Sequence, residues 1–119
     1  MKYMLLLRFE DGKGPDEGTP EFDEEMQAWG ALMTEMDAAG VQITAMGLDE
    51  DSTATIVRKQ DGETVLSDGP YAETKEHLFS FIVIDVADLD EAVSWAERAP
   101  NASYGSVEVR PLSKHEQDA

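Results

Sequence analysis

Apolar and polar positions recur along this chain with two different periods, and the switches between them mark its elements. Lys2 to Phe9 is nearly continuous in apolar residues, which predicts a strand covered on both faces or covered by a partner. Glu10 to Gly18, rich in Asp, Gly and Pro, predicts a loop. Thr19-Pro20 then opens a helix: Thr suits the N-cap, Pro the first helical position, and Glu21, Asp23, Glu24 and Glu25 complement the positive end of the helix dipole. Phe22, Met26, Trp29, Met33 and Met36 recur at helical spacing as one apolar stripe, which core packing explains better than a ligand surface, and Gly40 stops the helix. Val41 to Leu48 and Thr53 to Lys59 predict two further strands, separated by a solvated acidic loop, Asp49-Glu50-Asp51-Ser52. Asp61-Gly62 is a two-residue hairpin signal, after which Glu63 to Ser67 returns as a short strand. Leu78 to Val86 is the most apolar segment. Asp88 and Glu91 resemble a capping box opening a second helix, with Leu89, Ala92, Val93 and Ala96 on one face and Pro100 at its end. Ser106 to Arg110 predicts a last strand, and residues 113–119 a disordered polar tail beyond a single domain over 1–112.

The order β-α-β-β-β-β-α-β, with the hairpin set aside, is β-α-β-β-α-β. This predicts an α+β, ferredoxin-like domain with an added hairpin strand. Two helices cover one face of such a sheet. The apolar residues on the other face need a partner, and a second copy related by a two-fold axis is the economical one.

Composition narrows the partners. The 119 residues and 41% hydrophobic content suit one globular domain. With 26 acidic against 9 basic residues the formal charge is -17, which repels nucleic-acid backbones and anionic membranes. The same charge suits a solvated surface, or adaptation to high salt in which counterions screen self-repulsion. Cysteine is absent, so disulfides, thiolate catalysis and cysteine-ligated metals are excluded. The apolar run at the start is too short for a signal peptide and no segment reaches membrane-spanning length, so a cytoplasmic protein is expected.

The stretch Asp68-Gly69-Pro70-Tyr71-Ala72-Glu73-Thr74-Lys75-Glu76 gathers a turn, an aromatic ring and a cluster of charges ahead of the apolar strand. His77 follows it and titrates near neutrality, so it is a candidate general base, oriented by Glu73 or Asp68. A surface histidine at a strand end is the simpler reading. Asp68 is a second catalytic candidate, although capping the turn is its commonest task. Arg58 and Lys75 are scarce cations that suit a carboxylate or phosphate. Asp68, Tyr71 and Tyr104 complete the candidate ligand set. No calcium loop, phosphate loop, metal triad, nucleophile elbow or dinucleotide fingerprint is present, so no metal or cofactor is expected.

The Asp68 to Glu76 stretch resembles the signature of DGPF-domain proteins, a branch of the YCII-related family. Met1 to Leu6, Ala38 to Val41, Ser52 to Thr55 with Val57-Arg58, Ile84 to Ala92 and Tyr104 to Pro111 are similar to the family's opening, middle and end. The resemblance implies a ferredoxin-like fold paired as a dimeric α+β barrel. Tyr71 stands where that branch has Phe, and His77-Leu78-Phe79-Ser80 where it has Gln and a Gly-rich run. The resemblance also implies that some relatives pair a His on the first helix with an Asp, yet Glu21 to Ala39 holds no His. Other relatives are associated with extracytoplasmic-function sigma factors. The resulting expectation is a homodimer binding a small anionic molecule in an accessory or regulatory role. The alternatives are a small cofactor-free enzyme of isomerase, lyase or oxygenase type using the same cleft through His77 or Asp68, and a protein-interaction module.

Overall fold

A computed structural model describes residues 1–70 and 75–119. Its elements in chain order are β1 (Lys2–Glu10), α1 (Pro20–Ala39), β2 (Gln42–Gly47), β3 (Thr55–Gln60), β4 (Glu63–Asp68), β5 (Glu76–Asp85), α2 (Leu89–Glu97), β6 (Gly105–Pro111) and α3 (Lys114–Gln117). Short 3-10 turns span Asp51–Thr53 and Pro100–Ser103.

Four strands form one antiparallel sheet in the order β2-β5-β1-β6, the arrangement of a ferredoxin-like α+β domain. β3 and β4 form a separate two-stranded hairpin. It turns at Asp61-Gly62, with both residues at positive φ as a two-residue hairpin requires. β1 sits in the centre, pairing Leu5 with Ile82 on one side and Val109 on the other. The run of apolar residues in β1 therefore belongs to a strand with neighbours at both edges.

Alternation splits β1 between two environments. Tyr3, Leu5 and Leu7 are buried with Ile82 and Ile84 against Leu32 and Met36 of α1 and Ala92 and Ala96 of α2. Met4 and Leu6 point the other way, opposite Val83 and Phe81, and remain partly exposed; Met46 beside Phe81 is 60% exposed. Helices α1 and α2 supply the core on the first face, not on this second one. The molecule is correspondingly flat, with extents of 49 × 43 × 18 Å. Its radius of gyration is 16.5 Å, against about 13.5 Å for a compact chain of this length. The β3–β4 hairpin forms a sheet of its own and leaves Val57 and Leu66 exposed.

Both helix starts and the end of α1 fall where the sequence predicts, while α2 stops at Glu97, short of Pro100. The Thr19 side chain accepts from the Phe22 backbone N–H, and Gly40 closes α1 in the left-handed region. The Asp88 side chain accepts from Glu91 N–H, while Glu91 reaches back to Ala87 rather than to Asp88. On α2 the buried face is Ala92 and Ala96; Leu89 and Val93, expected on the same face, are exposed.

Several expectations need correction. The Asp49 to Ser52 segment is not merely a solvated loop: it runs into the Asp51–Thr53 turn, which brings Asp51 against β5. β5 begins at Glu76, so His77 lies within the strand. The tail expected to be disordered carries α3. Gln117 accepts from Lys2 N–H and donates to the carbonyls of Lys2 and Leu112, which fastens the tail to β1. Among the described residues no helix is long and apolar enough to cross a membrane.

Candidate functional site

β1 and β5 carry Phe9 and His77 as register partners at the end of the sheet, so the two rings share a face, 5.5 Å apart. Phe79 lies one turn of alternation further along β5, 5.7 Å from Phe9. Together these rings form the floor of a cleft of about 330 Å³, whose walls include Asp11, Asp49, Glu50, Asp51 and Ser52.

His77 is held at both nitrogens. Nδ1 bonds the Asp51 carboxylate, and Nε2 stands 2.5 Å from Oδ1 of Asp11. The chain brings Asp11 into place by pairing its backbone N–H with the Lys75 carbonyl. The side chains of His77 and Asp51 are 20% and 26% exposed, whereas Asp11 is 74% exposed. Asp51 is thus a fixed partner and Asp11 a displaceable one. Only the doubly protonated ring donates to both carboxylates; a neutral ring turns a lone pair toward one of them. The hydrogen bond to Asp51, then that to Asp11, accordingly raises the His77 pKa above its ordinary value.

This chemistry is a proton held on an oriented imidazole. An imidazole held in this way can give up and take back a proton at Nε2 if Asp11 is displaced, with Asp51 holding the ring. Among the described residues no group of three or more His, Cys, Asp or Glu side chains is placed to hold a metal ion.

A second lobe shares Phe9 and Phe79 with the first and runs beneath α1. It measures about 290 Å³ and includes Phe22, Met26 and Trp29 on its wall. Part of the α1 stripe read as core therefore lines this lobe; Leu32 and Met36 are the α1 residues that are buried. Tyr104 closes the lobe, its hydroxyl donating to the Glu25 carboxylate at 2.7 and 2.8 Å.

Of the residues singled out from sequence, His77 and Tyr104 line these lobes. Arg58 and Asp68 stand on the β3–β4 hairpin and line neither lobe, and Lys75 is an exposed residue just before β5. The proposed orienting role of Asp68 passes to Asp51 and Asp11. Tyr71 and Glu73 lie outside the described residues. Sequence reasoning missed Asp11, Asp51 and Glu25 as site residues; nothing local marks them, since each meets a partner far away in the chain.

The family model of the YCII-related domain matches residues 1–116 of this chain. The chain belongs to the YCII-related family. A stretch of 64 residues is 52% identical to an uncharacterised protein of Rhizobium meliloti (strain 1021), covering 52% of this chain and 52% of that protein. The chain thus matches about half the length of that curated relative. The His–Asp pair that the resemblance implies from the first helix is absent from α1 of this YCII-related protein, but a His–Asp pair is present, with its histidine on β5.

Proposed function

We propose that this YCII-related protein, of DGPF type, is a homodimer that binds a small neutral molecule in the His77 cleft and moves a proton on it without a cofactor. One observation carries the reading: Nε2 of an oriented histidine opens on a cleft behind a single displaceable carboxylate. An isomerase- or lyase-type proton transfer needs an acid and base of that kind. An anionic ligand is disfavoured in this lobe, because Asp49 and Glu50 add negative charge to the Asp11–His77–Asp51 group.

A second reading has its own support. Nε2 is already occupied by Asp11, which suits a binder whose ligand exchanges for that carboxylate without turnover, in an accessory or regulatory role. Association with an extracytoplasmic-function sigma factor belongs to this second reading.

The two separate in one experiment. A panel of small neutral ketones in D2O is followed by NMR for deuterium uptake next to the carbonyl, with the native protein and His77→Gln. Uptake that depends on His77 supports the enzyme. Saturable shifts of His77 ring signals with no uptake between acid and alkaline pH overturn the enzyme and leave the binder.

A further inference from the structure

The lobe beneath α1 has its own chemistry, independent of His77. Its surface is dominated by rings: Phe9, Phe22, Trp29 and Phe79, with Trp29 meeting Phe79 edge-on at 6.3 Å between centroids. Its polar members among the described residues are Lys13, Glu25 and Tyr104. Lys13 is exposed on a glycine-flanked loop. Glu25 is half-buried, and Tyr104 fixes its carboxylate from one side.

Tyr104 is itself locked. A Cβ on Gly14 would come within 2.8 Å of the Tyr104 ring, so the loop backbone packs directly on it. Burial first, and then Glu25, push the Tyr104 hydroxyl pKa up, so it keeps its proton and remains the donor to Glu25. With that hydroxyl spent on Glu25, the lobe offers a fixed carboxylate among aromatic rings.

We propose that this lobe binds a small organic ammonium ion, its charge toward Glu25 and its alkyl part among Phe9, Trp29 and Phe79. Ring faces attract cations, and a half-buried carboxylate strengthens that attraction. The -17 formal charge of the chain raises the local concentration of such ions. A neutral ligand fits the rings but leaves Glu25 without a counter-charge. An anion finds Lys13 at the rim and is repelled by Glu25 within.

The test compares n-butylammonium with 1-butanol and butyrate, which share the chain and differ in charge. Trp95→Phe leaves Trp29 as the fluorescent reporter. The ammonium is expected to bind at least about fivefold more tightly than the alcohol. Glu25→Gln, in which Tyr104 keeps an acceptor, is expected to abolish that preference, and His77→Gln to leave it intact. Nuclear Overhauser contacts from butyl protons to the Trp29 indole, read on the native protein, locate the ion without any variant. Equal binding of ammonium and alcohol overturns the proposal, as does tighter binding of butyrate. So does a preference that survives Glu25→Gln, or one lost in His77→Gln alone. Absence of saturable binding up to about 50 mM in folded protein does so as well. None of these outcomes bears on the ketone experiment, which reads the other lobe.

Discussion

A histidine that meets a carboxylate at each ring nitrogen favours the doubly protonated form, and the fold is stabilised in the same pH range. The raised folded pKa of His77 means that its contribution is fully present below the unfolded value of 6.5 and is lost as pH rises through the folded value. Urea titrations of the native chain and His77→Gln are expected to differ most on the acid side and to converge at higher pH; a gap that widens with pH contradicts this. Asp51→Asn is expected to lower the His77 pKa more than Asp11→Asn does, read from ring NMR signals, because the Asp51 hydrogen bond is the larger cause. Asn101 makes a different kind of demand. It is fully buried, and its Nδ2 donates to the carbonyls of Arg8 at 2.8 Å and Ser106 at 3.0 Å. Asn101→Ala removes both of these bonds and is expected to cost about 1–3 kcal/mol in denaturant unfolding.

Elements were legible where a local chemical cause fixes them. Thr19 and Asp88 cap the two long helices as their residue types require, and Thr19→Ala is expected to lower stability by about 1 kcal/mol. Asp61-Gly62 set the hairpin for the same reason. The site was only partly legible, because its pairs join a strand, loops, turns and a helix that are far apart in the chain. Asp51 and Asp11 lie 26 and 66 positions from His77, and Glu25 lies 79 from Tyr104. No periodicity in the chain encodes those separations. His77 itself was found by its chemistry, and placed at a strand end only because the apolar run begins at Leu78. Gly105 shows what register demands: a Cβ there would meet the Arg8 carbonyl oxygen at 2.1 Å. β6 can lie beside β1 at that point only with glycine.

At the scale of the whole molecule, the flat shape and the half-exposed Met4, Leu6, Phe81 and Met46 motivate the proposed second copy. Light scattering at micromolar concentration is expected to give twice 13.1 kDa, falling to the single mass in Phe81→Arg. A native chain at the single mass removes the dimer from the proposal. The -17 charge has a bulk consequence too: melting temperature is expected to rise with added salt as self-repulsion is screened, and a flat response contradicts the high-salt reading. The Arg8–Glu108–Arg110 cluster works against that trend locally. Arg110 first, and Arg8 second, hold the Glu108 carboxyl below its ordinary value.

The central position of β1 also sets a timetable. Its hydrogen-bonding partners, β5 and β6, follow it by most of the length of the chain. During synthesis, at roughly 5–20 residues per second, β1 waits several seconds as an unpaired apolar ribbon before either edge is covered. Folding by such distant pairings is intrinsically slow, and the apolar strand stays exposed in the meantime. Nascent chains arrested before β5 emerges should therefore remain protease-sensitive at Leu5 to Leu7, and those released after β6 should not.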